Sequence, residues 1–255
     1  MKSKEELIEI YNDTMELSHM FDAPFDAELL TSDKDYVSLV KSVDTLGIYH
    51  VSGTRIAVEN VDCIVAAGKL SRLGKTCILN MASYKHPGGG VRKGAMSQEE
   101  ELARRSMLML GLPESYYPLK KNQFLYNENV TFIKDRNYNL CNPFDLDVIT
   151  IAAIDFRNVT VSNREQVDEF DQETRKKIRA MLWEPHAHGC DNLVLSAFGC
   201  GVFKNDPVTV AAIFKEELKN FSFLYDNIIF AIFNDANSNE NNFSTFRNII
   251  DGFVR

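Results

Sequence analysis

Apolar residues along the chain fall into stretches of two different periods. Leu7, Ile10, Tyr11 and Met15 recur at helical spacing, so residues 3 to 18 read as an amphipathic helix. Asp22 to Asp44 shows no sustained period and reads as irregular. Thr54 to Val58 reads as a strand, followed by a helix from about Val61 to Leu73 with Ile64, Val65 and Leu70 inward and Gly74 as its stop. Cys77 to Ala82 is a short apolar run that suits a buried strand. Phe124 to Lys134 is mixed, with β-rich pieces around Val130 to Ile133, and Leu146 to Ala153 is a continuous β-branched run of the interior-strand kind. Residues 163 to 188 are charged with spaced apolar positions, which predicts a surface helix. Asn192 to Phe198 is a further buried strand, Asp206-Pro207 opens a helix, and Asn227 to Phe233 is the last strand. An asparagine-rich loop from Asn234 to Asn242 and a short helix close the chain. Strands alternating with helices imply a mixed or mostly parallel sheet covered on both faces.

The densest chemistry lies between residues 76 and 113. The strand ending in Asn80, Met81 and Ala82 leads to the turn Pro87-Gly88-Gly89-Gly90, where backbone of positive φ is free of steric cost. Ser97 then begins a helix whose first turn holds Gln98, Glu99, Glu100 and Glu101, and which Gly111 and Pro113 stop. Taken singly, these parts have structural explanations. Ser97 with Glu100 has the spacing of a capping box, and acidic residues in a first turn complement the helix dipole. Two phosphate motifs are excluded: Ala95-Met96 stands where a P-loop needs Lys-Ser/Thr, and Lys204 follows Gly199-Cys200-Gly201 where a dinucleotide fingerprint needs a small residue.

Composition narrows the class. A hydrophobic fraction of 45% in 255 residues supports a real core, in one large domain or a domain with a helical extension. The net charge of -8 argues against a broad grip on nucleic acid, so no sequence-specific nucleic-acid partner is expected. A polyanion remains admissible where positive potential is local, at helix N-termini and backbone amides. Cys63, Cys77, Cys141, Cys190 and Cys200 are odd in number and form no C-x-x-C pair, as expected of reduced thiols in a cytoplasmic or nuclear setting. Neither a signal peptide nor a run of membrane-spanning length is expected, and so no membrane partner. His186-Ala187-His188-Gly189-Cys190 has metal-ligand types but no matching cluster elsewhere, and Cys200 lacks an identifiable base; neither is read as a site.

The joint pattern is more specific than its pieces. Gly88-Gly89-Gly90, seven residues, then Gln98-Glu99-Glu100 resembles the signature of poly(ADP-ribose) glycohydrolases, in particular their microbial type. The resemblance runs on through Glu101-Leu102-Ala103-Arg104-Arg105-Ser106 and upstream through Leu79-Asn80-Met81-Ala82. It reappears from Leu193 through Gly199-Cys200-Gly201-Val202-Phe203 to Pro207, and again at Ile229 to Ile232. Ser196 and Phe198 depart from it, standing where Gly and Trp are common.

The resemblance implies a macrodomain-like three-layer α/β/α sandwich with a mixed central sheet (residues 46–255) behind an N-terminal helical extension (residues 1–45). It implies hydrolysis of ribose-ribose O-glycosidic bonds in poly(ADP-ribose), with ADP-ribose and ADP-ribosylated proteins as partners and no cofactor. By the same resemblance Glu100 is the catalytic acid and Glu99 holds ribose hydroxyls, as does Asn80, while Gln98 completes the triplet. The glycine turn at 88–90 wraps one side of the ligand, and Gly199, Cys200, Gly201 and Val202 hold its diphosphate. Phe203 packs near the adenosine side, Phe233 stacks on adenine, and Asp62 occupies the place of an adenine-contacting aspartate. Neighbouring helical residues point about 100° apart, so Glu99 and Glu100 do not flank a bond as opposed glycosidase carboxylates do. Glu100 is therefore expected to act alone as acid and then base, and not to fold back on Ser97. Two other readings stay open: a macrodomain-type module that binds ADP-ribose without cleaving it, and an unrelated hydrolase of nucleotide-derived metabolites.

Overall fold

The computed structural model describes residues 2–21, 26–45, 53–233 and 241–251. In chain order its elements are α1 (Lys4–Leu17), β1 (Glu28–Thr31), α2 (Tyr36–Thr45), β2 (Arg55–Glu59), α3 (Cys63–Leu70), β3 (Thr76–Met81) and α4 (Gln98–Arg105). There follow β4 (Gln123–Lys134), β5 (Leu140–Ile151), α5 (Arg164–Ala187), β6 (Asn192–Leu195), α6 (Pro207–Phe221), β7 (Asn227–Ala231) and α7 (Asn242–Ile250). The strands form one mixed sheet in the order β1-β4-β5-β3-β6-β7-β2. This is the mixed α/β architecture of the macrodomain-like class. The chain divides into two compact units, Met1–Leu30 with Asn80–Ala152, and Thr31–Leu79 with Ala153–Arg255.

In the first unit β4 and β5 pair antiparallel, Leu125 opposite Thr150 and Phe132 opposite Phe144. The register slips between Asn127 and Val130, where Asn129 takes φ 54° and its amide donates to Asp147. Phe124, Leu125, Phe132, Val148 and Ile149 are fully buried along this pair. α1 starts on a capping box in which Glu6 N donates to Ser3 Oγ at 3.2 Å and Ser3 N donates to Glu6 Oε2 at 2.6 Å. It packs on α4, which in turn packs on β4.

In the second unit β3, β6, β7 and β2 run parallel, with Thr76 opposite Asn192, Leu193 opposite Ile228 and Ala57 opposite Ile229. Leu193, Val194, Ile228, Ile229 and Phe230 are all buried without alternation, as in strands covered on both faces. α3 packs on β6 and β7, and α5 packs on α6. Between α5 and α6, Glu217 is buried and accepts from Arg175 at 2.6 Å and from Arg179 at 2.8 Å, so its charge is doubly paired.

The structure departs from the sequence reading in three places. The stretch from Asp22 to Asp44 is not irregular: β1 and most of α2 fall in it, while residues 22–25 lie outside the described ones. The helix opened by Ser97 ends at Arg105, not near Gly111, because Ser106 turns extended (φ -145°, ψ 173°) and bridges to Phe132. β4 and β5 are also longer than the apolar runs that announced them, with exposed residues from 140 to 145 still in the ladder. Most of the asparagine-rich loop, residues 234–240, lies outside the described residues, as does the anticipated boundary after residue 45.

Candidate active site

In the first unit the backbone of one loop wraps the side chains at the start of α4. β3 ends at Met81, whose amide donates to Gln98 Oε1 at 2.8 Å. Ser83 N donates to Glu99 Oε2 at 2.7 Å, and Gly90 N donates to Glu100 Oε1 at 2.8 Å. Three successive residues of α4 thus each accept from backbone amides of the segment 81–90. Gly88 and Gly89 take φ of 68° and 57°. A Cβ on Gly89 would lie 2.6 Å from Glu100 Oε1 and 2.8 Å from Glu99 Oε2, so glycine here is what lets both carboxylates approach.

The two acids are buried, Glu99 at 2% and Glu100 at 5% exposure. Glu100 does fold back on Ser97, contrary to the sequence expectation: its Oε2 accepts from the Ser97 amide at 2.9 Å and from the Ser97 hydroxyl. The cause is local. Ser97 and Glu100 have capping-box spacing, and with Oε1 held by Gly90 the remaining oxygen meets the free amide at the helix start. Burial pushes the Glu99 carboxyl up to about 8; the Glu100 charge adds to this, while the Ser83 and Gly88 amides and the Asn80 side chain oppose it.

Glu99 Oε1, Asn80 Oδ1 and Tyr117 Oη are buried without a hydrogen-bond partner. Asn80 is wholly buried and spends its amide on Thr150 Oγ1 at 3.2 Å. A buried polar atom left unpaired costs roughly 1–3 kcal/mol, so each of these has hydrogen-bonding capacity to offer a water or a polar ligand. Burial and then the Glu99 charge push the Tyr117 hydroxyl upward. Sequence reasoning missed Tyr117 because Tyr116-Tyr117-Pro118 carries no motif.

In the second unit the turn at 199–201 is bracketed by Asn205, whose Nδ2 donates to Ile154 O at 2.8 Å and to Gly199 O at 3.1 Å. Gly199 has φ 74°, and a Cβ there would lie 2.5 Å from Ala153 Cβ and from Asn205 Nδ2. Gly201 has open space around its Cβ position. Cys200 is buried, its Sγ directed at Phe198 O at 3.5 Å, while Val202 is exposed. Phe203 O accepts from Phe156 N, and the Arg157 guanidinium lies 5.2 Å from the Phe203 ring centre. Asp206 caps α6, accepting from Thr209 N at 2.8 Å ahead of Pro207. Asp62 is likewise a helix cap, accepting from Val65 N at 2.9 Å, and Phe233 is exposed. The structure therefore gathers Asn80, Gly88, Gly89, Gly90, Gln98, Glu99 and Glu100 in one unit. Gly199, Cys200, Gly201, Val202 and Phe203 form the loop of the other, where Asp62 and Phe233 also reside. No group of three or more potential metal ligands occurs among the described residues.

Residues 25–135 match the family model of the microbial-type PARG catalytic domain. Over that segment the chain is similar to microbial-type PARG catalytic domains. That match contains Asn80, the glycine turn and the Gln98-Glu99-Glu100 triplet, and it stops short of the 199–203 loop. Likeness to solved structures extends over both. The poly(ADP-ribose) glycohydrolase (PARG) from Thermomonospora curvata is 26% identical with a TM-score of 0.84, over 96% of this chain and 99% of that one. The same enzyme bound to the inhibitor ADP-HPD gives 26% and 0.81 over 95% and 98%. PARG from Deinococcus radiodurans in complex with ADP-ribose gives 26% and 0.78, over 89% and 95%. No curated protein sequence matches the chain at comparable significance. The buried acids and orphaned polar atoms lie within the segment that matches the family model.

Proposed function

We propose that the chain is a glycosidase that hydrolyses the ribose-ribose O-glycosidic bond of poly(ADP-ribose) and releases ADP-ribose. One observation carries the reading: two adjacent buried glutamates at the start of α4 are held by amides of a glycine turn, beside unpaired Asn80 and Glu99 oxygens. Asn80 and Glu99 are suited to ribose hydroxyls, and the amides of Gly199, Cys200 and Gly201, with Val202, to a diphosphate. Phe203, Phe233 and Asp62 are assigned to the adenosine end. One glutamate protonates the departing ribose oxygen as the bond to the anomeric carbon breaks. Water then adds its hydroxide to the oxocarbenium carbon and returns a proton to the glutamate.

The resemblance gives the proton to Glu100. A second reading has a specific observation behind it. Both Glu100 oxygens accept hydrogen bonds, whereas burial raises the Glu99 carboxyl to about 8 and so favours its protonated form. In that reading Glu99 is the first donor. Incubation with defined poly(ADP-ribose), followed by chromatography of the products, tests the function. Monomer release supports it, binding without release leaves a reader module, and neither sinks both. Glu100→Gln and Glu99→Gln then identify the donor. The true donor's variant loses roughly 10²–10⁴-fold in kcat while keeping ADP-ribose affinity; the other chiefly raises KM. ADP-ribosylated proteins are the proposed carriers of the substrate and the cytoplasm the proposed compartment, in keeping with five free thiols. We keep residues 46–255 as the catalytic domain and residues 1–45 as its N-terminal extension.

A further inference from the structure

Arg104 is wholly buried, and its guanidinium joins three segments of the first unit. Nη1 donates to Glu101 Oε1 at 3.0 Å, Nε to Leu7 O on α1 at 3.3 Å, and Nη2 to Ala95 O in the loop ahead of α4. Its own carbonyl accepts from Thr14 Oγ1 of α1 at 2.6 Å. The loop bonds complete a circuit. Ala95 N donates to Gly90 O at 3.2 Å, and Gly90 N donates to Glu100 Oε1 at 2.8 Å. Glu100 and Arg104 are four residues apart on one helix face, so the loop from Gly90 to Ala95 is gripped at both ends by α4. Behind it stands α1. Gly94 has φ 70°, and a Cβ there would lie 2.6 Å from Lys4 O, so the loop backs directly onto that helix. α1 has an anchor of its own: Lys134 Nζ, on β4, donates to Asp13 Oδ2 at 2.5 Å, to Thr14 Oγ1 at 2.7 Å and to Ile10 O at 3.1 Å.

We propose that Arg104 is the positioning residue of the active site: by tying α1 and Ala95 to α4 it fixes where Gly90 holds the Glu100 carboxylate. α1, which precedes the family match, thereby becomes part of the catalytic apparatus rather than an appendage. A guanidinium suits the task because its planar fork reaches three acceptors in fixed directions, whereas a lysine ammonium keeps the charge and loses the fork.

The test compares full-length wild type with Arg104→Lys and Gly94→Ala. The kinetic arm rests on the glycohydrolase reading; the exchange arm does not. In both variants amide hydrogen exchange over residues 90–95 is expected to quicken about tenfold, with β6 and β7 unchanged. On poly(ADP-ribose), kcat falls about tenfold or more while KM and the ADP-ribose Kd stay within about twofold. A purely structural role would instead lower kcat only with the fraction of chain able to bind ADP-ribose. That result overturns the proposal, as does unchanged exchange over 90–95 in a folded variant. If Arg104→Lys fails to fold, Gly94→Ala decides alone, since it presses α1 off the loop and leaves the fork in place. A wild type without glycohydrolase activity sinks the function reading and leaves the exchange arm to judge the clamp.

Discussion

The molecule has two glycine turns that look interchangeable in sequence and serve different neighbours. At Gly89 the space a side chain would fill is taken by the oxygens of Glu100 and Glu99, at 2.6 and 2.8 Å. At Gly199 it is taken by scaffold, Ala153 Cβ and Asn205 Nδ2, both at 2.5 Å. The first turn is shaped around two acids, one of them with its carboxyl pushed upward by burial. The second is shaped around a neutral amide bracket, and it alone leaves a glycine, Gly201, with no atom of the described residues within 4 Å of its Cβ position. A glycine motif states that room is needed and not for whom. In the first turn the room serves chemistry already inside the protein. In the second it serves the fold at one position and is left open at another.

The sharpest way to break this contrast is Gly89→Ala. Its left-handed backbone costs about 1–2 kcal/mol with a Cβ present, and the new carbon meets both carboxylates. A displacement of about 1 Å at a catalytic group costs roughly 10²-fold, so turnover should fall at least that far. Turnover within about twofold of wild type would mean that the turn does not hold the acids.

Next in size is a pH effect confined to the first turn. Burial first, and then the Glu100 charge, lift the Glu99 carboxyl from an ordinary 4.5 to about 8. Between those values the unfolded chain has lost this proton while the folded chain keeps it. Stability therefore falls as pH rises through the window, by about 1.4 kcal/mol per unit at most, and levels off above about 8. Glu99→Gln removes that slope, a difference on the order of a few kcal/mol between pH 5 and pH 9. Denaturant titrations at pH 5, 7 and 9 measure it. Parallel curves for wild type and variant would show that Glu99 is ionised throughout.

What was legible in the sequence follows the same division between local and distant causes. Apolar runs announced β3, β6 and β7, and helical spacing announced α1 and α5, because each buries a face defined by its own residues. β1 and α2 went unread. β1 is four residues with two exposed, and α2 is fixed by Tyr36, whose hydroxyl donates to Glu184 at 2.9 Å from 148 positions away. The end of α4 was misread because Ser106 is captured by Phe132, a strand pairing with no local sign. Around the proposed site, the placement of Glu99 and Glu100 in one helical turn was legible, and so was the capping spacing, although its outcome, Glu100 folded onto Ser97, was not. The pull of the Gly90 amide and the reach of Arg104 were not, since most of their partners are backbone atoms that any residue supplies.

The remaining effects, of which that of Gly201 is the smallest, lie in the second turn and test whether its two glycines have separate duties. Gly199→Ala combines a left-handed backbone with two overlaps against scaffold atoms, so it should cost about 2–4 kcal/mol of stability. That loss should not vary between pH 5 and pH 9. Gly201→Ala meets no atom of the described residues within 4 Å and needs no positive φ, so its stability should stay within about 0.5 kcal/mol of wild type. If Gly201 keeps space for a diphosphate, the same methyl should weaken ADP-ribose binding about tenfold, or about 1.4 kcal/mol, by calorimetry. Loss of affinity without loss of stability would place the ligand against residue 201. Unchanged affinity in a stable Gly201→Ala would leave this turn a scaffold element only, and the contrast with the first turn would then be one between a reaction site and a fold joint.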